Sequence, residues 1–268
     1  VRPDKYQPIA RLHADNYIVS DDQFELLPTA ALQSARLLQL CSANLPVGGF
    51  SFSQGLEQAV ERGWIDSAEA LHDWLSVFLQ TSVSHTDLPL LGAQYDAVSS
   101  GCSKTFEEQD AWVAATRESA EILLAEQAMG KALKRLLNNL NDKPAGVAAK
   151  WLGNVHADCF ISQFALAAHL FGLPRGAALS GYVWTLLDAQ VAAGTKLIPL
   201  GQTDGQNLLF RLAGQIQTCL TTSASIALNE SGQSQLNEIG LNEIGQSLPS
   251  MAMASAWHQQ QYSRLFRS

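Results

Sequence analysis

Residues 66–79 read Asp-Ser-Ala-Glu-Ala-Leu-His-Asp-Trp-Leu-Ser-Val-Phe-Leu, and their spacing decides the fold class. Asp66 and Glu69 stand three apart, the spacing with which a capping box opens a helix. Leu71, Trp74, Leu75, Phe78 and Leu79 then recur at three- and four-residue steps, one apolar helical face. The same period extends on both sides. Upstream, Leu32, Ala35, Leu38, Cys41 and Leu45 lead to Pro46, and the Ser51–Gln54 spacing predicts a capped helix running to about Arg62. Downstream, Pro89 fits the first turn of a helix. Thr105–Glu108 precedes a long helical stretch through Ile122, Leu123, Met129, Leu133, Leu136, Leu137 and Leu140. An alanine-rich stretch from Val147 to Leu173 closes at Gly172 and Pro174. Ala177–Ile198 and Gln206–Leu228 supply two more helices around a break at 199–205. No Asn-Gly or Asp-Gly joins alternating apolar runs. The expectation is an all-α, single-domain bundle of about eight to ten helices.

The chain divides into four segments. Residues 1–28, with Pro3, Pro8 and Pro28, read as an extended arm, and 29–228 as the helical domain. Residues 229–249 read as a low-complexity linker carrying a tandem repeat, Leu236-Asn237-Glu238-Ile239-Gly240 and Leu241-Asn242-Glu243-Ile244-Gly245. Two copies do not make a solenoid. Residues 250–268 place Trp257, Tyr262, Leu265 and Phe266 beside Arg264 and Arg267, the residue types that anchor interfaces. They read as a docking segment; packing back onto the chain's own bundle is the other reading.

Composition narrows the function. Charged residues are 16% and hydrophobic ones 47% of the 268. The charged share lies below the usual ~25%, which fits either a covered surface or a helix-rich chain with many Ala, Ser and Gln. A net charge of −8 without a basic run disfavours a nucleic-acid partner. No apolar run approaches the length that spans a membrane, and residues 1–28 lack the apolar core of a secretory signal. Cys41, Cys102, Cys159 and Cys219 form no C-x-x-C and read as inert, reduced thiols of a cytoplasmic protein.

Catalytic constellations are thin. Gly48-Gly49 and Gly201–Gly205 precede helices, but neither carries the lysine of a phosphate loop, and Asp204 would repel a phosphate. His156 and Cys159 share a helical face with Asp158 nearby. They define the alternative function, a metal-dependent hydrolase, although a bound transition metal needs three or four ligands. His85 and Asp87 read as turn and capping residues before Pro89. Ser51 and Ser53 read as helix-start residues rather than nucleophiles.

Three separated stretches carry a family resemblance. Leu45–Glu57 reads LPVGGFSFSQGLE, Ala193–Gln206 reads AGTKLIPLGQTDGQ, and Gln261–Ser268 reads QYSRLFRS. In this order they resemble the UreF family of urease accessory proteins, over about residues 35 to 268. The resemblance implies an all-helical, homodimeric scaffold without a cofactor of its own. It implies a bridge between UreD (also called UreH) and the GTPase UreG that delivers nickel to apo-urease, regulation of GTP hydrolysis, and a water-filled passage for the metal through UreF and UreD. It also implies partner-binding positions. Pro46, Gly48, Gly49, Phe50, Ser51, Gly55 and Glu57 match the first motif and would shape the dimer or the UreG-facing surface. Lys196, next to Pro199, Gly201, Gln202, Gly205 and Gln206, matches a basic position that would sense UreG. Tyr262, Arg264, Phe266 and Arg267 match a tail that would order on UreD. One departure stands out: Trp257-His258-Gln259 replaces the Arg-His-Glu common in the family, which removes two charges.

Overall fold

The computed structural model describes residues 21–141, 143, 146–228 and 245–267. The residues of the arm before Asp21 lie outside this range, and so does the Leu-Asn-Glu-Ile-Gly repeat apart from Gly245. Among the described residues the fold is all-α and no strand occurs. The helices are α1 (Asp21–Leu40), α2 (Leu56–Glu61), α3 (Ala68–Phe78), α4 (Leu88–Ser100), α5 (Ser103–Ala115) and α6 (Ala120–Asn139). They continue as α7 (Val147–Trp151), α8 (Phe160–Leu170), α9 (Arg175–Leu197), α10 (Gln202–Ala213), α11 (Ile216–Leu228) and α12 (Pro249–His258).

The core is organised around α8. All of its residues except His169 are buried, as expected of a helix that is apolar around its whole circumference. It packs chiefly on α4 and α6, with α5, α7 and α9 around it. Phe160 and Phe164 meet Tyr182 of α9 at ring-centroid distances of 6.2 and 5.5 Å. Two buried amides of this centre donate within it: Gln94 Nε2 donates to Ser162 Oγ at 2.8 Å and Gln163 Nε2 to Ala157 O at 2.8 Å.

Several predicted helices divide. The stretch beginning at Thr105 splits before α6, where Ser119 Oγ accepts from Ile122 N at 3.1 Å and caps a new start. The alanine-rich stretch splits after Trp151. Its loop returns to α5, where Asp110 accepts the N–H groups of Asp158 and Cys159 at 3.2 and 3.0 Å. The stretch to Leu228 splits at Gly214 and Gln215. Ser51 caps no helix; it closes a 3₁₀ turn over Gly49–Ser51. Gln54 and Gly55 follow with φ of 51° and 86°, off the right-handed helical path, so α2 begins only at Leu56. The cap of α3 is Ser67, one residue after Asp66, accepting from Ala70 N at 3.3 Å. Helix α1 begins at Asp21 rather than Thr29.

The feature least visible in the sequence lies between α3 and α4. Leu79–Asp87 forms a π-helical stretch, so the chain runs as one rod from Ala68 to Ser100. Pro89 explains the wide turns. It has no N–H to donate, and its ring excludes the carbonyl four residues earlier, at His85. The Leu88 N–H bonds Val83 O instead, five residues back. Hydroxyls serve the displaced carbonyls: Thr81 Oγ1 donates to Val77 O at 2.7 Å, and Ser84 Oγ donates to Leu79 O. The altered register turns Asp87 into the interior. It caps nothing, which corrects its reading as a turn residue.

Two predictions follow from packing. A Cβ on Gly55 would lie 2.9 Å from Met251 O and 2.9 Å from Ser255 N, where α2 meets α12. Together with the left-handed backbone, Gly55→Ala is expected to cost about 2–4 kcal/mol in urea unfolding; a change below about 0.5 kcal/mol would refute this close approach. Burial raises the thiols of Cys41, Cys159 and Cys219, whereas Cys102 is exposed and its thiol is lowered by the Thr105 hydroxyl. Cys102 therefore departs from the inert reading. A thiol raised in the folded state contributes stability that is fully present below the unfolded value near 8.5 and lost as pH rises through the folded value. Native protein is expected to show one fast-reacting thiol with Ellman's reagent, absent in Cys102→Ser, and stability that declines above about pH 8.5.

Candidate functional site

The first motif makes a corner. Val47 is buried, Gly48 takes φ 76°, and the 3₁₀ turn leaves the Phe50 ring 68% exposed. Helix α2 then carries Glu57 inward. Opposite it, α12 brings His258, which is fully buried. His258 Nε2 lies 3.0 Å from Glu57 Oε2, and Nδ1 lies 2.7 Å from Glu121 Oε2 of α6. A neutral imidazole has one donor nitrogen. With carboxyl oxygens at both nitrogens, the relay is satisfied when the ring carries both protons or one carboxyl is protonated.

Glu57 has more duties. Its Oε1 accepts the N–H of Leu265 at 2.7 Å and Gln261 Nε2 at 3.3 Å, and its Oε2 accepts the N–H of Phe266 at 2.9 Å. Arg264 Nη1 donates to Glu121 Oε1 at 3.0 Å, and the Arg267 N–H donates to Ser51 O at 2.7 Å. The C-terminal segment therefore packs on this chain's own bundle. Phe266 is buried, with Lys196 Nζ 5.8 Å from its ring centre, and the Arg267 guanidinium stands 6.0 Å from the Phe52 ring. Tyr262 and Leu265 remain outside, the latter 65% exposed.

The structure thus joins the first motif, Lys196 and the tail. It does not bring the Pro199–Gln206 turn onto the tail. Pro199, Gly201, Gln202 and Gln206 are exposed, whereas Gly205 is buried against Thr195. Gly55, Glu57 and Phe266 are likewise interior, so they hold the face rather than form its outer surface.

A second buried network lies beneath a cavity of about 340 Å³. Arg117 Nη1 donates to Asp87 Oδ1 at 2.7 Å, and Nη2 lies 2.9 Å from Glu126 Oε2. Tyr182 Oη donates to Asp87 Oδ2 at 3.0 Å. Burial opposes the Arg117 charge, but Asp87 and Glu126 outweigh it and hold the guanidinium charged. Burial raises the Glu126 carboxyl, and burial with Asp87 raises the Tyr182 phenol. Sequence reasoning missed this network. Its one signal was Pro89 standing inside an otherwise continuous helical pattern.

The metal-hydrolase alternative does not assemble. The His156 backbone bonds Glu107, Asp158 faces Lys131 and Lys134, and Cys159 is buried with its Sγ on Asp110 O. Among the described residues, no group of three or more His, Cys, Asp or Glu side chains is placed to hold a metal ion. No helix among them is long and apolar enough to cross a membrane.

The UreF family model matches residues 65–213. A urease accessory protein UreF of Marinomonas is 40% identical, with 90% of this chain and 96% of that protein covered. A Chromohalobacter salexigens protein of the same name is 36% identical over 88% of this chain and 95% of its own length. A Brucella anthropi protein named urease accessory protein UreF 2 is 33% identical over 89% of this chain and 97% of its own length. The chain belongs to the UreF family. The buried relay gives His258 a positioning role between Glu57 and Glu121. Trp257 gains a different one: its ring meets Trp64 edge-on at 5.7 Å and lies 3.8 Å under the Arg62 guanidinium.

Removing the imidazole leaves two buried carboxyls short of a donor. His258→Ala is expected to cost roughly 3–5 kcal/mol in urea unfolding. It is also expected to speed tryptic cleavage after Arg264 and Arg267. Unchanged cleavage would show that the relay does not hold the tail.

Proposed function

We propose that the protein serves urease maturation as a non-catalytic scaffold, homodimeric in its complex and located in the cytoplasm. It links UreD (UreH) to the GTPase UreG for nickel insertion into apo-urease, and it modulates GTP hydrolysis by UreG. Family membership supports the role in maturation. The observation that carries the finer reading is the joined face. The tail is held by buried polar bonds, yet it presents Tyr262 and Leu265 to solvent beside the corner that presents Phe50. Exposed large apolar side chains on an anchored segment mark a partner surface. Lys196, exposed on the same face, is the residue proposed to act on UreG. An inserted cation changes GTP hydrolysis by stabilising charge in transfer.

Truncation after Pro249 would remove His258 and uncover buried Glu57 and Glu121, so lost binding would not separate docking from local unfolding. Point changes at exposed positions separate docking from folding. Tyr262→Ala with Leu265→Ser is expected to keep the helical circular-dichroism spectrum and lower co-purification with UreD by roughly tenfold or more. Lys196→Ala is expected to alter UreG turnover in the assembled complex. Full-strength UreD binding by the double variant would remove the tail from the docking surface, and unchanged turnover would remove Lys196 from UreG control.

A further inference from the structure

Beside the glycine corner, α6 and the Pro46–Phe52 loop enclose an open groove of about 810 Å³. Its charge runs against that of the chain. The whole carries −8, yet the groove is lined by Lys131, Lys134, Arg135 and Arg267, with Asp158 as its one carboxylate. Lys134 is occupied internally: its Nζ donates to Val155 O at 2.9 Å and to Ala157 O at 3.2 Å, and lies 3.4 Å from Asp158. Lys131 reaches Asp158 only at 3.7 Å and is half exposed. Among the described residues, neither Arg135 nor Arg267 forms an ion pair with a carboxylate, and both are exposed. Helix α6 carries Arg135 to the groove, and the tail carries Arg267 to the same place.

We infer that this groove binds an acidic polypeptide segment of a partner protein. Arg135 and Arg267, without a matching carboxylate among the described residues, and Lys131, only loosely paired with Asp158, provide the charge complementarity that steers an acidic chain. Ala128 and Ala132, both partly exposed, add small apolar surface between the cations. A segment carrying Asp and Glu beside small apolar residues matches this lining. A long polyanion such as a nucleic acid matches it less well, because its flanks would meet the acidic remainder of the surface. The groove also adjoins the corner that presents Phe50, so an acidic segment fits beside an apolar contact within one interface.

The test uses the full chain and a fluorescein-labelled oligoglutamate peptide, read by fluorescence anisotropy, with no urease partner present. The wild type is expected to bind the peptide and to lose affinity as salt rises. Arg135→Glu is expected to weaken binding by about tenfold or more, and Lys131→Gln to weaken it less. Lys150→Glu, an exposed change on α7, is expected to leave it unchanged. The proposal is overturned if oligoglutamate does not bind, if Arg135→Glu binds as well as wild type, or if a single-stranded oligothymidylate of equal charge binds as tightly. Because the assay contains neither UreD nor UreG, its failure leaves the proposed function standing. Conversely, retained UreD binding by the tail variants leaves the groove standing.

Discussion

The Glu57–His258–Glu121 relay is the contact on which the arrangement of this surface depends. Burying ionisable groups is expensive, and leaving one without its partner is worse. Here the cost is offset by saturation. Glu57 meets one ring nitrogen and accepts from two backbone amides and an amide side chain, while Glu121 meets the other ring nitrogen and accepts from Arg264. The directionality of these bonds sets the path of the last described residues. Apolar packing alone would bury Phe266 but would not specify which neighbours face outward.

Helix α6 connects this relay to the second network. Glu121 faces α12, and Glu126, little more than a turn later, faces Arg117. The start of α6 is itself tied to α12, since Ser119 Oγ lies 2.8 Å from Ser255 Oγ while capping the helix. On the other side, the π-helical stretch delivers Asp87 to Arg117 and Tyr182. Two distant irregularities, a proline within a helical rod and two left-handed residues before α2, thus set charged groups on either side of the same helix.

The sequence made the helical class legible because most helices have an amphipathic face of clear period. The motif loop, Lys196 and the tail were also legible as a set, through resemblance. What escaped was whatever depends on partners far apart in the chain. The break after Trp151 arises from Asp110 reaching across to a returning loop; the one at Ser119 is a local cap, legible in principle and missed. In sequence the triplet around His258 stands out only for the charges it lacks; the role of His258 escaped because both of its carboxyl partners lie more than a hundred residues away. Gly55 and Glu57 read as surface motif residues; their burial follows from α12 packing over them, which no local pattern encodes.

The bond between Glu57 and Phe266 spans 209 residues. Closing a loop of that length gains little until the helices between are formed, so this contact belongs to the last events of folding. In the native ensemble the reverse holds. Release of α12 and the tail would uncover Met251, Ala254 and Phe266 while the contacts of α8 with α4 and α6 need not break, so it is expected as a sub-global opening below the energy of full unfolding. Helix α12 and the tail are therefore expected to detach as a unit separate from the core. Amide exchange at Leu265 and Phe266 reports that unit alone.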